Sequence, residues 1–569
     1  VVQYHNDFYF NRFINGYDIK LKKMETKNKN KLILCIFFGF YLLLGFITYD
    51  DYGISIEEHT QLYFGVHWLN YIVNFFEIDL FKDKIFEKIV NFSNDTALPD
   101  PKVYNYYGPI FDVPTAFIDV LFNIQDTSLY FKYRHFLVFF IFFFSSIVFF
   151  KILIKRFKNF LITFLGTIIY IFSPRIYGDS FHNNKDIIFL SLVVFAIFFA
   201  FKAFEKKKIK SILLFSLFAS IATSTRVMGL FLPVSFIIFL YLEKLNDKSI
   251  SYIKLILIAL FSYLFFLFIH WPYLWEAPIS NFIQFISNSK NLFFSYYILF
   301  DGKYVLTTSL PDSFIFTWIG ISTPILNLFL IILGIFFIGK RLFSRFILVD
   351  KIKNNESDLW RSNNEMKDYY IFFNLISIFS LLIFLNVPLV SGWRHLYFLN
   401  IFMVYIATYS LMVFSIKYKK NIYRLFILVL VLLIPNFYQI IILHPFQSLY
   451  FNEILNSKKK NSFLIDREGL TQLDSIRKIL SITTNEKKIN IANASFIPYY
   501  RTKDALSENN KNRVNFVGTE YNKADYIYNN YVYEVDPKYN KKYNIPPNFK
   551  KVYQLELNGV KMYEIYKKK

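Results

Sequence analysis

Two adjacent carboxylates, Glu57 and Glu58, stand in the segment GISIEEHTQLYFG, shortly after a strongly apolar run, Leu32 to Thr48. A carboxylate within hydrogen-bond reach of a hydroxyl can remove its proton as the oxygen attacks an electrophile. The pair therefore indicates a general base close to a membrane surface. The competing interpretation is a helix start, because Ser55 and Glu58 have capping-box spacing. The two roles are compatible if Glu58 caps the helix while Glu57 points outward.

Other residues able to act on a phosphate or a hydroxyl stand near the ends of apolar runs. They are Asp51, Arg175, Asp179, Lys185, Asp186, Arg226, Arg394 and His395. Preplaced cations stabilise the charge that grows on a leaving phosphate, and Arg suits bidentate phosphate contact. Lys185, Arg226 and Arg394 are therefore the predicted phosphate ligands. His395 is a further donor, and Asp186 completes the predicted substrate-binding set.

Each of these signals also has a purely structural interpretation. The three basic residues could be interfacial anchors whose stems lie along apolar surface. His395 could belong to an aromatic belt, and Asp186 could cap the helix that follows it. The histidines lack the spacing of metal ligands, so no metal site is predicted, and a divalent-metal requirement stays undetermined.

The composition defines an all-α polytopic membrane protein. The chain of 569 residues has 72 Phe and 43 Tyr but only 17 Gly and 17 Pro. Apolar runs of roughly 17–25 residues span a bilayer, because a helix satisfies its own backbone polar groups in lipid. About eleven spans are predicted, near 32–48, 134–158, 159–172, 187–203, 211–225, 227–242, 252–269, 314–338, 369–386, 395–416 and 421–442.

The basic residues predict the topology. The net charge of +22 lies largely in short loops and the C-terminal region, which indicates orientation in a membrane rather than nucleic-acid binding. A basic N-terminus, residues 1–31, is expected in the cytoplasm, and residues 1–23 before Met24 suggest an extension upstream of the true start. Residues 49–133 then form a large external loop. The single Cys35 lies in the first span, so no intramolecular disulfide is expected.

Two regions outside the spans are expected to be ordered. In the external loop, apolar residues repeat at intervals of four and three between Leu62 and Phe76, and 108–122 is a second short apolar segment. Both predict helices at the membrane interface or against the bundle. Residues 443–569 predict a small external, soluble α/β domain, in which Asn558-Gly559 joins two alternating runs as a hairpin turn. This domain shows no obvious site of its own.

An ordered series of motifs resembles the membrane glycosyltransferases of the GT-C type, more narrowly the protein O-mannosyltransferase-like branch, also called glycosyltransferase family 39. The series covers most of residues 45–455 and comprises GISIEEHTQLYFG, SPRIYGDSFHNNKD, TRVMG, HWPYLWEAP, SLPDSFIFTWIGISTP, SGWRHLYF and HPFQSLYFNE. The acidic motif of that family usually reads Asp-Glu, whereas here it reads Glu57-Glu58. Asp51 is therefore the reserve candidate for the base.

The resemblance implies a multi-span enzyme, 32–442, that uses a polyprenyl-phosphate sugar as donor at the external face. The expected reaction is inverting transfer of the sugar to a hydroxyl of a protein, lipid or glycan acceptor, with Glu57 as base. Two alternatives stay open: a lipid-carrier transporter or flippase, and a catalytically silent scaffold for envelope assembly. Spans nearly free of charge disfavour the transporter. The AT-rich residue bias suggests a bacterial inner membrane.

Overall fold

The computed structural model describes residues 28–93, 95, 98–246, 251–290, 295–348, 359–385, 387–389, 392–418, 421–483 and 488–569. The predicted extension, 1–23, lies outside the described residues. The chain divides into two units, Val1–Tyr49 and Asp50–Lys569. Within the first unit, helix α1 (Asn28–Thr48) has the length and composition of a membrane span. All further elements belong to the second unit.

The helices of the second unit account for most of its length. They are α2 (Ile56–Phe75), α3 (Lys82–Ser93), α4 (Pro101–Tyr104), α5 (Asp112–Phe122), α6 (Thr127–Phe157), α7 (Phe160–Ile171), α8 (Pro174–His182), α9 (Asp186–Lys206), α10 (Ile209–Thr225), α11 (Phe231–Asn246), α12 (Tyr252–His270), α13 (Pro278–Lys290), α14 (Phe314–Ser322), α15 (Ile325–Leu348), α16 (Asn363–Phe384), α17 (Leu399–Lys417), α18 (Ile422–Ile442), α19 (Ser457–Lys460), α20 (Gln472–Ile482) and α21 (Glu508–Arg513).

The described residues confirm a polytopic helical membrane protein. Nine of their helices are long and apolar enough to cross a membrane, and the pair α7–α8, bent by 60°, makes a tenth candidate. With the shorter apolar helix α10, these segments correspond one for one to the predicted spans. Helix α5 has 11 residues, so segment 108–122 is too short to be a span.

Two predicted spans have clearly different boundaries. The run 314–338 is two helices, because Pro324 disfavours helical backbone at the residue before it, and Thr323 adopts φ −100° and ψ 136°. Helix α14 has only 9 residues, so α15 is the spanning segment. The run 395–416 begins as a helix only at Leu399, after a short 3₁₀ turn over Arg394–Leu396. That turn leaves Arg394 and His395 outside the helix.

The helices of the first loop pack on one another beside α6. On α2, Leu62, Val66 and Leu69 are buried with residues of α3, α5 and α6 in one apolar cluster. The predicted stripe therefore packs against the protein, except that Phe76 is exposed. This packing fixes the N-terminal end of α2, where the adjacent carboxylates stand.

The C-terminal region contains the predicted sheet. Its strands are β3 (Ile489–Asn493), β4 (Val514–Phe516), β5 (Tyr526–Asn529), β6 (Phe549–Leu557) and β7 (Val560–Lys568), after an earlier hairpin of β1 (Tyr297–Phe300) and β2 (Lys303–Leu306). The strand order is β4-β3-β5-β7-β6. Strand β3 runs parallel to β4 and β5, whereas β7 is antiparallel to β5 and β6. Asn558 and Gly559 have φ of 50° and 75°, as the predicted hairpin turn requires.

A buried ionic cluster joins the helices at the C-terminal end of α6. Asp368 is fully buried and accepts from Arg156 Nε at 2.6 Å, from Tyr405 Oη at 2.9 Å and from Arg341 Nη1 at 3.3 Å. Such a carboxylate is tolerated in the interior because several charged and polar donors surround it. The cluster connects α6, α15, α16 and α17 at the opposite end of α6 from the adjacent carboxylates.

Candidate active site

The start of α2 separates the two adjacent glutamates. Ser55 N donates to Glu58 Oε1 at 2.8 Å, which confirms the capping box. Glu58 Oε2 lies 3.0 Å from His135 Nε2, and the side chain of Glu58 is only 1% exposed. The side chain of Glu57 is 41% exposed. Glu58 is therefore a buried cap, and Glu57 is the carboxylate that a second molecule can reach.

Arg394 binds three carboxylates. Its Nη2 donates to Glu57 Oε1 at 2.5 Å, its Nη1 lies 2.7 Å from Glu468 Oε2, and its Nε lies 3.3 Å from Asp186 Oδ2. The side chain is only 8% exposed, so these contacts are poorly screened by solvent. Arg394 therefore links the end of a span, the start of α2 and the C-terminal region.

Asp186 bridges the two predicted arginines. Its Oδ1 pairs with Arg226 Nη2, while its Oδ2 faces Arg394 and accepts from Asn183 Nδ2 at 3.1 Å. Asn183 Oδ1 in turn accepts from Asp186 N at 2.8 Å, which fixes the first residue of α9. Four of the predicted site residues, Glu57, Asp186, Arg226 and Arg394, thus form one continuous ionic cluster.

The charge of Glu57 is controlled by that cluster. Burial of the carboxyl among neighbouring segments opposes ionisation, but the positive charge of Arg394 outweighs it and holds the pKa of Glu57 below its usual value. Solvent at the open part of the side chain weakens this effect. In the resting site Glu57 is therefore ionised, and its pairing with Arg394 makes it a weak base.

Lys185 and His395 lie beside the cluster with lowered basicity. Burial, reinforced by Arg226, lowers the pKa of Lys185 to about 7. Its ammonium lies 3.2 Å from the centroid of the Tyr107 ring. Burial, again reinforced by Arg226, lowers the pKa of His395 to about 3, so this imidazole is neutral at pH 7. Lys185 is thus the cation of the site whose charge changes near neutral pH.

A largely apolar cavity of about 470 Å³ opens next to Arg226 and His395. Met228, Phe231 and Val234 of the 227–246 segment line it, together with α13, the end of α16 and Tyr107. An apolar cavity with a few convergent polar groups is the usual form of a ligand site. Here the polar groups include Arg226 and His395, two of the predicted substrate-binding residues.

Of the remaining predicted residues, Arg175 and Asp179 line a small cavity of about 40 Å³ together with Arg394 and Glu468, whereas Asp51 lies apart. Asp51 Oδ2 lies 2.9 Å from His444 Nε2, and Asp51 lines a separate cavity of about 180 Å³. Arg175 donates from Nε to the Tyr450 carbonyl at 2.8 Å and packs over the Trp318 ring, so its contacts are structural. The structure does not bring Asp51 into the ionic cluster of Glu57 and Arg394.

Sequence reasoning missed Glu468 and Arg467. Glu468 pairs with Arg394, and its carbonyl accepts from Ile56 N at 2.9 Å. Arg467 Nε donates to Tyr296 Oη at 3.2 Å. Both residues belong to the C-terminal domain predicted at 443–569, where no site was expected. No local sequence signal marks either residue, because their loop reaches the site only through the folded domain.

The protein is thus a membrane protein with a polar site at the ends of its helical spans. That site combines carboxylates and cations and lies beside an apolar cavity. Residues 120–271 match the family model of the dolichyl-phosphate-mannose-protein mannosyltransferases. This match confirms the predicted resemblance to membrane glycosyltransferases of the GT-C type.

A solved structure with a similar chain is the crystal structure of ArnT from Cupriavidus metallidurans bound to undecaprenyl phosphate. That chain is 10% identical, and the similarity covers 94% of the present chain and 98% of ArnT with a TM-score of 0.43. Among curated proteins, no relative matches the sequence.

Proposed function

We propose that this protein transfers a sugar from a polyprenyl-phosphate donor to an acceptor hydroxyl, with inversion, at the external face of a bacterial inner membrane. The observation that carries the proposal is the position of Glu57. It is a partly exposed carboxylate held by Arg394, and Asp186 connects Arg394 to Arg226 at the wall of an apolar cavity. Base, phosphate ligands and lipid-binding volume thus lie in one region of the molecule.

The donor fits the chemistry of this region. An isoprenoid chain is apolar and suits the cavity lined by Met228, Phe231 and Val234, while its phosphate requires cations at the same wall. Arg226 has the geometry for bidentate phosphate contact, and Lys185 can add a positive charge when protonated. His395 can donate a hydrogen bond without adding a charge.

The reaction is a single displacement. The acceptor oxygen forms the new bond to the anomeric carbon as the bond from that carbon to the phosphate oxygen breaks. The electron pair leaves with the phosphate, where Arg226 stabilises it, and the hydroxyl proton passes to Glu57. A bound phosphate also adds negative charge next to Glu57, which raises its pKa toward the range of a useful base.

The proposal includes the membrane arrangement. The first loop, the ionic cluster and the C-terminal domain lie on the external side, which in a bacterium is the periplasmic side. The partners are the bilayer, the polyprenyl-phosphate sugar and an acceptor of protein, lipid or glycan type. Acceptor hydroxyls approach Glu57 from its exposed side.

Native mass spectrometry of gently purified protein tests the proposal. The Glu57→Gln variant keeps the size of the side chain but removes the base, so a polyprenyl-phosphate sugar should accumulate on it relative to wild type. Glu87→Gln, on the exposed face of α3, is the matched control and should resemble wild type. Bulk phospholipid alone on every form would contradict the donor assignment.

A transfer assay with the donor so identified completes the test. Sugar transfer by the purified wild-type protein would exclude a silent scaffold. Movement of the lipid across vesicles without sugar transfer would instead establish a transporter. If Glu57→Gln transfers sugar at a rate near that of wild type, the base is another residue, and Asp51 is the next to substitute.

A further inference from the structure

The loop of residues 466–471 is held rigidly by the C-terminal domain. Asp466 accepts from the backbone of Leu470 at 2.8 Å and from that of Thr471 at 3.1 Å. Its own carbonyl accepts from Asn530 Nδ2 at 3.2 Å, directly after strand β5. Gly469 has a φ of +76°, which favours glycine and sharpens the turn. The position of Glu468 is therefore set by the sheet domain.

The same loop lies directly on the segment that carries Glu57. The Glu468 carbonyl accepts from Ile56 N at 2.9 Å, one residue before Glu57. A Cβ added at Gly53 would come within 2.5 Å of the Leu470 carbonyl oxygen, so the two backbones touch. Arg501 and Asp504 of the domain also reach the first turn of α2, at Ile56 O and at His59.

The Glu468 side chain completes the contact. Its Oε2 lies 2.7 Å from Arg394 Nη1, and it is only 12% exposed. Arg394 reaches Glu57 through its other terminal nitrogen. Because the guanidinium is planar and rigid, it fixes the positions of Glu57 and Glu468 relative to each other. Moving Glu468 would release Arg394 and change both the geometry and the charge at Glu57.

We propose that Glu468 is a positioning residue for the transfer reaction: through Arg394 it holds Glu57 in place, and it thereby makes the C-terminal domain part of the active site. This inference rests on the proposed function. The C-terminal domain would then take part in the chemistry of the membrane site and would not be a separate binding module.

Glu468 also limits how strongly the site attracts an anion. It neutralises part of the Arg394 charge near the proposed phosphate position. Removing the Glu468 charge should make the surroundings of Arg394 less negative, so the site should bind the donor phosphate more tightly. Arg394 would also lose the contact that holds it in the position where it places Glu57. The donor KM should then fall while kcat falls too. A loss of folded protein alone would lower the apparent kcat and leave KM unchanged.

The test compares Glu468→Gln, Glu468→Asp and the control Glu520→Gln, which alters an exposed glutamate of the same domain. For Glu468→Gln we expect kcat to fall about 100-fold, as for a misplaced catalytic group. Its donor KM should fall about fivefold, because two unit charges about 4 Å apart in water interact with about 1 kcal/mol. Glu468→Asp keeps the charge but is shorter, so kcat should fall while KM stays near wild type.

Direct binding of a polyprenyl phosphate to detergent-solubilised protein separates the two hypotheses. If wild-type protein neither binds the lipid nor transfers sugar, the proposed function fails, and this inference fails with it. If wild type does both, but Glu468→Gln has wild-type kcat and KM, only the positioning role is wrong. For Glu468→Gln, a fall in kcat at unchanged donor KM and unchanged lipid affinity would also overturn it, because a loss of folded protein gives the same pattern.

Discussion

Glu57 Oε1 lies 2.5 Å from Arg394 Nη2, although 337 residues separate them along the chain. Arg394 is also within ion-pair distance of Asp186 and Glu468, so each of its three nitrogen atoms faces a carboxylate. A guanidinium surrounded in this way fixes geometry and offers little to a further anion. Arg226 pairs with Asp186 and lines the apolar cavity, so it is better placed to bind a phosphate.

The two arginines should therefore have different kinetic roles. Arg226→Gln should raise the donor KM about 10- to 100-fold, the effect of losing a charge-assisted hydrogen bond of about 1.5–3 kcal/mol. Arg394→Gln should mainly lower kcat. It should also lower the thermal midpoint of unfolding, because it leaves Glu57, Asp186 and Glu468 without their shared cation. Initial rates against donor concentration, with thermal unfolding of each variant, measure both effects.

Arg424→Gln is the matched control, because Arg424 is exposed at the start of α18. It should leave KM, kcat and the unfolding midpoint unchanged. The opposite pattern, with Arg394→Gln affecting KM alone and Arg226→Gln affecting kcat alone, would show that Arg394 is the phosphate ligand. The predicted division between the two arginines would then be wrong.

Donor affinity should decrease as the pH rises through about 7. Burial lowers the pKa of Lys185 from its usual value to about 7, so its side chain is charged below that pH and neutral above it. Binding an anionic phosphodiester favours the charged form, and affinity is therefore lost as the proton leaves. The donor affinity should fall by at most about tenfold per pH unit, because a single proton is taken up on binding. Donor KM measured from pH 6 to pH 9 tests this.

Lys185→Arg provides the decisive comparison, because arginine stays charged over this range. The variant should keep a pH-independent donor KM, even if its absolute affinity differs. Lys550→Arg, at an exposed position of β6, is the control and should retain the wild-type profile. A wild-type profile that persists in Lys185→Arg would assign the pH dependence to another group.

Local sequence patterns predicted much of this structure. The capping box at Ser55 and Glu58 depends on four consecutive residues, and the Asn558-Gly559 turn depends on two, so each is readable from the sequence alone. The spans follow from run length and composition. The break at Pro324 was missed because apolar character continues across it. The proline itself was the available signal.

The partners of Arg394 could not be predicted in the same way. Glu468 lies in a loop whose position depends on the folded sheet domain, and no periodicity relates it to a span. An arginine near the end of a span predicts a phosphate ligand and an ion-pair partner equally well. Only the three-dimensional arrangement shows that Arg394 meets three carboxylates while Arg226 borders the cavity.

The apolar cavity should determine the affinity for the lipid part of the donor. Val234 lines it and is half-exposed, so Val234→Trp should fill part of the volume without disturbing the ionic cluster. Each CH₂ that can no longer be buried costs about 0.8 kcal/mol, so the loss of two raises the donor KM about tenfold. A donor whose lipid is shortened to one or two isoprene units should show almost no change.

Val431→Trp is the matched control for this prediction, because Val431 is equally exposed on α18 but does not line the cavity. It should leave the KM of both donors unchanged. Comparing the KM ratio of long-chain to short-chain donor in the two variants removes any general effect of an added tryptophan. If Val234→Trp raises the KM of both donors equally, the cavity does not hold the isoprenoid chain. The donor would then bind through its phosphate and sugar alone.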